Sequence, residues 1–371
     1  MSKAAELANL IGNINAGGGG VNRNLIINGM MQINQRGDST GKTSGGYYSC
    51  DRFQSDINSA GTWSIAQSTS VPSGKGFKNS VKLDCTTANS SLSSGSYFIY
   101  QQRIEGHNLQ RLGFGTSDAK RIVLSFYVKS NKTGTYHVGL FNNDNSRMNG
   151  RTYTIDSANT WEFKSISFDA DTSAGFTDDN THGLMLEFWL VGGTDYTSGS
   201  TPTAWVASDN TIRAGGLAVN LADSTDNEWL LTGVQLEIGQ NPTEFEHEPL
   251  ETTLRKCQRY LLRYPNDGGT NGGYTRYGTG QIVASNEAEI SIYPPVHMRA
   301  DPSLTIGGSA SDYYIWNAND ADACSALSVE GGSTHEYIVI NCAGSGMTAG
   351  RGCMLNAYSN STNFLEFDAE M

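Results

Sequence analysis

The sequence predicts an all-β protein: an antiparallel jelly-roll β-sandwich plus a second, smaller β domain, with a short N-terminal helix and one linker helix. Glycine supplies 43 of the 371 residues and charged residues only 17%, a composition typical of many short strands joined by turns. Short apolar or alternating segments recur between Gly, Asn, Asp and Ser clusters, without the crossover helices that a parallel sheet requires. At about 150 residues per domain, this length predicts two domains.

The first 23 residues are predicted to form a helix followed by a glycine tether. Leu7, Leu10 and Ile11 fall at the helical spacing i, i+3, i+4, which places them on one face. A helix of about three turns is marginal alone in water, so we expect it to dock on a partner or on copies of itself. The four glycines at 17–20 are typical of a flexible tether. These three apolar residues are therefore the predicted anchor, and a frayed terminus is the alternative.

Residues 24–248 are predicted to form the jelly roll. Nine short strands with no clear helix between them are expected from the apolar and alternating runs, at 25–27, 62–67, 80–84, 97–104, 121–129, 134–141, 161–169, 184–191 and 229–238.

A change of periodicity marks the end of the jelly roll. Leu250, Leu254, Cys257 and Leu261 recur at helical spacing and predict a linker helix at 249–262. The remaining residues, 263–371, are predicted to form a C-terminal β-sandwich domain. Its expected strands are 280–284, 287–293, 303–306, 313–316, 336–341 and 364–369.

Composition excludes several classes of function. With 25 basic and 37 acidic residues the net charge is −12, which argues against nucleic-acid binding by counterion release. No apolar run of about 18 residues exists to span a membrane as a helix, and no secretion signal opens the chain. We therefore expect the six cysteines to be mostly free, buried thiols, although Cys342 and Cys353 are close enough in sequence to pair in a hairpin.

Motifs along nearly the whole chain are shared in order and spacing with known proteins. The most specific is LTGVQLEIG at 231–239, which continues to PTEFEH at 242–247 and CQRY at 257–260. Others are SKAAEL at 2–7, NLIING at 24–29, QINQRG at 32–37, CDRF at 50–53, YVKS at 127–130, LEFWL at 186–190, PVHMRADP at 295–302 and FDAEM at 367–371. Together they resemble a family of bacteriophage virion proteins, mainly tail-fibre or adsorption proteins.

The resemblance implies a non-enzymatic virion component, a homotrimer with a jelly roll like that of carbohydrate-binding modules. We expect it to be assembled in the host cytoplasm and displayed on the particle exterior. Its partners would be other virion proteins, through the N-terminus, and a host-surface glycan. A capsid decoration protein or head fibre and a polysaccharide depolymerase are the alternatives, and the resemblance leaves tail or capsid open.

Sugar binding requires aromatic ring faces for the apolar C–H surface of a sugar, with planar polar groups beside them. Trp63, Tyr97, Tyr100, Gln101 and Arg103 are the predicted glycan-binding residues. Because side chains alternate along a strand, Tyr100 points one way and Gln101 and Arg103 the other. Either Tyr100 is core and the other two are presented, or the reverse. Ordinary sandwich core is the alternative for all these aromatics.

Four acidic residues, Asp169, Asp171, Asp178 and Asp179, are the candidate ligands of a structural calcium ion, because hard cations prefer carboxylate and carbonyl oxygens. Their spacing matches no defined calcium loop. No other cofactor and no catalytic residue is predicted. Acids adjacent in a loop rarely flank a glycosidic bond at the separation of about 5–5.5 Å that a retaining glycosidase needs.

Overall fold

The computed structural model describes residues 3–4, 22–266, 274–317, 320–358 and 362–371, which are almost entirely antiparallel β-structure. The predicted all-β class is therefore confirmed. Contacts divide the chain into two compact units, Met1–Thr253 with Met371 and Leu254–Glu370. No helix among the described residues is long and apolar enough to cross a membrane.

Most of the predicted N-terminal helix and glycine tether falls outside the described residues. Lys3 and Ala4 are described and are helical. The anchoring residues Leu7, Leu10 and Ile11 and the glycines at 17–20 lie outside the described part of the chain, so the anchor stays a prediction.

The larger unit contains two antiparallel sheets. Its strands among the described residues are β1 (Ser39–Lys42), β2 (Gly46–Tyr47), β3 (Phe53–Asn58), β4 (Thr62–Ser68), β5 (Ser80–Thr87), β6 (Tyr97–Glu105), β7 (Ile122–Ser130), β8 (Gly134–Asn142), β9 (Arg147–Ile155), β10 (Glu162–Phe168), β11 (His182–Gly192), β12 (Val206–Ala207) and β13 (Glu228–Ile238). One sheet has the order β1-β4-β5-β13-β7-β10, and the other β12-β9-β8-β11-β6-β3-β2. Their inner faces share one apolar core, which is the arrangement of a β-sandwich.

Short helical segments connect these strands. Helix α1 spans Thr194–Thr197, and single 3-10 turns occur at Gly106–Asn108, Gln110–Leu112, Asn210–Ile212 and Leu221–Asp223.

The predicted strand at 25–27 is wrong, because this segment forms turns. The Asn24 side-chain oxygen accepts the backbone N–H of Ile26 at 3.0 Å, and that of Asn28 accepts the N–H of Ile33 at 3.0 Å. Such local bonds from Asn side chains compete with a strand ladder. The other eight predicted strands of this unit are present, whereas β1, β2, β3, β9 and β12 had not been predicted.

The predicted linker helix at 249–262 is shorter in the structure. Helix α2 spans Leu250–Gln258, and the chain then enters strand β14 (Leu261–Pro265). Leu261 pairs in register with Asp368. The helix ends because the ladder takes over the backbone groups that a further helical turn would need.

The smaller unit also contains two antiparallel sheets. Besides β14 its described strands are β15 (Tyr274–Ala284), β16 (Glu287–Ile292), β17 (Ser303–Ile306), β18 (Tyr313–Asn317), β19 (Asp320–Ala323), β20 (Ala326–Val329), β21 (Ile338–Ala343), β22 (Gly352–Tyr358) and β23 (Phe364–Asp368), with a 3-10 turn at Ala310–Asp312. The three-stranded sheet has the order β14-β23-β17, and the seven-stranded sheet β19-β18-β22-β15-β16-β21-β20. All six predicted strands are present, and β14, β19, β20 and β22 are additional.

Alternation along β18 shows how the seven-stranded sheet uses its two faces. Tyr313 and Ile315 are fully buried in the core of the smaller unit. Tyr314 and Trp316 therefore point to the opposite, outer face and are half-buried.

All six cysteines are free and buried, as predicted. The hairpin pairing of Cys342 with Cys353 is therefore absent from the structure.

Candidate functional site

Two of the predicted glycan-binding aromatics lie in the core of the larger unit. Trp63 and Tyr100 have no exposed surface. The Trp63 ring lies 4.7 Å from that of Phe98, and its indole N–H donates to the Ala60 carbonyl at 2.8 Å. The Tyr100 ring stacks on Phe53 at 5.3 Å. Neither ring can offer a face to a sugar, so for these two residues the core alternative is correct.

The other three predicted residues share the outer face of the same sheet. Gln101 is only 2% exposed and donates from its side-chain nitrogen to the Gln54 side chain at 2.6 Å. Arg103 points the same way and is half-buried. Tyr97 is half-buried, and its hydroxyl donates to Asp56 at 3.3 Å. Burial, reinforced by Asp56, raises the pKa of Tyr97 to about 12. Of the two alternatives for β6, Tyr100 as core is the correct one.

An ion pair between Glu187 and Arg213 lies on this outer face. Glu187 on β11 is paired in register with Gln101 on β6. Its carboxylate accepts hydrogen bonds from the Trp189 indole N–H at 3.1 Å and from the Arg213 Nε–H at 3.2 Å. The guanidinium also lies over the Phe141 ring, 4.6 Å from its centroid. Since these groups satisfy one another, we assign this surface a structural role.

The four candidate calcium ligands do not come together. Asp169 pairs with Arg121, and Asp171 pairs with the Arg147 Nε at 2.7 Å. Asp178 contacts His107 at 2.7 Å, and Asp179 accepts the Thr181 hydroxyl at 2.7 Å. No group of three or more His, Cys, Asp or Glu residues within the described ranges could hold a metal ion. The predicted cluster is therefore wrong, because each carboxylate has a separate protein partner.

Exposed aromatic side chains lie instead on the outer face of the seven-stranded sheet of the smaller unit. Tyr314 and Trp316 lie on β18, next to β22, and Tyr358 on β22 pairs in register with Tyr274 on β15. Ring centroids are 4.8 Å apart for Tyr274 and Tyr358, 5.5 Å for Tyr274 and Trp316, and 4.5 Å for Tyr314 and Tyr358. We call these four residues the aromatic groove.

Two cavities open on the aromatic groove and share Trp316. The aromatic cavity, of about 320 Å³, is lined by the four rings together with Asp320 and Asn356. The arginine cavity, of about 560 Å³, has Arg276, Thr279, Trp316, Asn317 and Met354 among its lining residues. Both volumes fall in the range of small-molecule sites, roughly 300–1,000 Å³.

Asn356 forms the polar floor of the aromatic cavity. It lies between Tyr314 and Arg276 in the strand register and is only 1% exposed. Neither its side-chain oxygen nor its nitrogen has a hydrogen-bond partner among the described residues. A buried amide without partners costs about 1–3 kcal/mol, and such groups are rare in folded proteins. The arrangement therefore presents one donor group and one acceptor that a bound ligand could satisfy.

The two cavities differ in charge. Arg276 is exposed in the arginine cavity, and no carboxylate forms an ion pair with it within the described part of the chain. Asp320 is exposed at the aromatic cavity. A hydrogen bond to Tyr358, with smaller effects of desolvation and of the neighbouring phenols, raises the pKa of Tyr274. The Tyr274 phenol therefore stays protonated at neutral pH and can donate to a ligand.

Sequence reasoning did not single out the residues of this groove. The alternation in the segment 313–316 was a usable signal, because a strand places the aromatics Tyr314 and Trp316 on the face opposite Tyr313 and Ile315. One pair had to face away from the core.

No protein-family model and no curated protein matches this chain. Among solved structures, 58% of the chain matches 21% of the enzymatically active domain of tailspike protein 4 from bacteriophage CBA120, at 13% identity and a TM-score of 0.29. The match therefore spans about a fifth of the length of that enzymatically active domain.

Carbohydrate-binding modules give similar matches. A family 11 module from Clostridium thermocellum, in complex with a β-1,3-1,4-mixed-linked tetrasaccharide, covers 57% of this chain with 98% of its own length, at 13% identity and a TM-score of 0.25. TmCBM61 in complex with β-1,4-galactotriose covers 58% with 99% of its length, at 13% identity and a TM-score of 0.26. These TM-scores are too low to carry an argument about fold or function.

Proposed function

We propose that the protein is a glycan-binding structural component of a bacteriophage virion. It would be a homotrimeric tail fibre or related appendage that contacts the host surface. The observation that carries the glycan-binding part is the buried amide of Asn356, which has no hydrogen-bond partner among the described residues and lies at the floor of a cavity walled by four aromatic rings. The surface that binds the glycan would therefore belong to the smaller unit.

The chemistry of the aromatic cavity suits a sugar ring. A pyranose has an apolar C–H face, which packs on the faces of aromatic rings, and a rim of hydroxyl groups that donate and accept hydrogen bonds. Tyr274, Tyr358 and Trp316 supply partly exposed rings, and Asn356 and Asp320 supply polar groups beside them. A few polar groups placed within an aromatic lining are the usual composition of a selective small-molecule site.

The virion part of the proposal is supported by the motif resemblance, which runs from the N-terminal SKAAEL to the C-terminal FDAEM. In this proposal the N-terminal segment attaches the protein to the particle. The larger unit acts as a spacer.

We propose binding without hydrolysis. Among the described residues that line the two cavities, Asp320 is the single carboxylate. Glycoside hydrolysis ordinarily uses two carboxyl groups that flank the scissile bond.

A bacterial glycan array probed with the full-length protein tests the proposal. The variant Trp316→Ala removes the ring shared by both cavities, and Tyr293→Ala is the matched control. Tyr293 is 71% exposed in the same unit and lies outside the lining of either cavity. We expect array binding to be lost in Trp316→Ala and retained in Tyr293→Ala. If wild type binds no glycan and Trp316→Ala loses the trimer, this face is a subunit interface and the proposal is wrong.

A further inference from the structure

The guanidinium of Arg276 is the feature of the groove that the binding of a neutral sugar leaves unexplained. Arg276 is exposed on β15 and lines the arginine cavity together with Trp316 and Asn317. Within the described residues it has no ion-pair partner. The protein as a whole carries 37 acidic against 25 basic residues, so Arg276 places a positive charge in this cavity on a protein whose net charge is −12.

Arginine is suited to recognise a carboxylate. Its planar guanidinium presents a rigid fork of N–H donors that matches the two oxygens of a carboxylate group. Sugars with a carboxylate, such as uronic and sialic acids, combine that group with the hydroxyl groups and the apolar ring face of other sugars. The arginine cavity offers both complements, because the indole of Trp316 lines the same space as the guanidinium.

The aromatic cavity has the opposite electrostatic character. Asp320 is exposed there, and a carboxylate close to it would be repelled. The two cavities therefore discriminate between the units of a bound chain. A charged sugar is favoured on the Arg276 side of Trp316, and an uncharged sugar on the Asp320 side.

We infer that the groove binds an acidic oligosaccharide of at least two sugar units. A carboxylated sugar occupies the arginine cavity against Arg276, and a neutral sugar occupies the aromatic cavity over Asn356. This inference rests on the proposed function, since it concerns the same groove. It adds the ligand class and the orientation of the chain across Trp316.

The test compares one acidic oligosaccharide with the same compound after its carboxyl groups are reduced to alcohols. Isothermal titration of the full-length protein measures both affinities for wild type, Arg276→Gln and Arg255→Gln. Arg255 is the matched control, because it is exposed on α2, lies outside both cavities and loses the same charge. We expect wild type to prefer the acidic form at least tenfold at low ionic strength, with a smaller preference at high salt.

Arg276→Gln is expected to bind both forms with the affinity that wild type has for the reduced form. Arg255→Gln should keep the wild-type preference. An unchanged acidic preference in Arg276→Gln would overturn the inference, as would equal binding of the two forms by wild type.

The variant Trp316→Ala separates this failure from a failure of the proposed function. If Trp316→Ala loses binding while Arg276→Gln keeps the acidic preference, the groove binds glycan but Arg276 does not select its charge. If Trp316→Ala and Arg276→Gln both bind like wild type, the glycan site lies elsewhere and both proposals are wrong.

Discussion

The rings of Tyr274 and Trp316 lie 5.5 Å apart at an interplanar angle of 46°, on strands that flank β22 in the outer face of one sheet. Two rings this close can both contact the apolar C–H face of one sugar ring. The aromatic groove results from alternation, because the buried partners on the same strand, Tyr313 and Ile315, pack into the core of the smaller unit.

Replacing Asn356 by leucine is expected to stabilise the protein and weaken glycan binding. Leucine is similar in size and removes a buried amide without partners, which costs about 1–3 kcal/mol. Calorimetry of the full-length protein should show a higher unfolding temperature, and titration should show at least tenfold weaker binding, equivalent to about 1.4 kcal/mol.

Asn341→Leu is the control for this change. Asn341 is half-buried on the same sheet and donates to Glu330 at 3.2 Å, so its replacement removes a satisfied bond and should lower the unfolding temperature. A destabilised Asn356→Leu variant would contradict the account.

Removing the arginine from the buried pair in the larger unit should destabilise that unit strongly. The Glu187 side chain is only 2% exposed. In Arg213→Met its carboxylate would keep, among the described side-chain donors, only the Trp189 indole N–H. Breaking a buried pair from one side typically costs about 3–5 kcal/mol. The double variant Glu187→Gln/Arg213→Met should recover much of that loss in calorimetry. A single variant as stable as wild type would show that the pair is dispensable.

His137 should make the protein less stable in mild acid. Its Nδ1 donates to the Gly215 carbonyl at 2.9 Å, and burial lowers the pKa of His137 from 6.5 to about 4. The unfolded chain therefore binds the proton first as the pH falls. The stability that neutral His137 provides is complete above pH 6.5 and is lost as the pH falls towards about 4, by about 3 kcal/mol.

His137→Gln isolates this effect. Burial also raises the pKa of Asp51, which favours the folded state in acid and acts against the histidine. The difference between wild type and variant cancels that contribution. We expect the stability of the variant to depend less on pH between about 4 and 6.5. If the free energy of unfolding depends on pH in the same way in wild type and His137→Gln, the prediction is wrong.

The thiols should be unreactive in the folded protein. All six cysteines are free and buried, and desolvation raises the pKa of Cys85 and of Cys353 to about 11. The thiolate is the reactive form. A chromogenic disulfide reagent that reacts with free thiols should therefore label almost none of the six thiols in the folded protein and all of them in denaturant. Fast reaction of one thiol in the folded protein would contradict this prediction and show that the structure around that cysteine opens.

Local patterns were sufficient to predict most strands. Ser303–Ile306 has the predicted bounds, because alternation and flanking turn residues are local properties. Phe53–Asn58 was missed, since four of its six residues are polar and only its pairing with β6 makes it a strand. The linker helix was predicted too long because the pairing of Leu261 with Asp368 joins residues that are distant in sequence.

The candidate site depended on information that one strand does not contain. Alternation separated Tyr100 from Gln101, but which of them faces the core depends on the opposing sheet. The four aromatics of the groove come from β15, β18 and β22, and their proximity follows from the sheet order. That Asn356 has no hydrogen-bond partner among the described residues follows from the arrangement of three strands and not from the sequence of one.

Fluorine NMR of protein labelled with 5-fluorotryptophan tests the central claim most directly. The six tryptophans give separate probes, and Trp316→Phe assigns the signal of the groove. On addition of a bound glycan we predict a shift of the Trp316 signal, while the signals of Trp63, Trp189 and Trp229, which are fully buried in the larger unit, stay in place. A glycan that binds without moving the Trp316 signal, or that moves a tryptophan signal of the larger unit instead, would contradict the account.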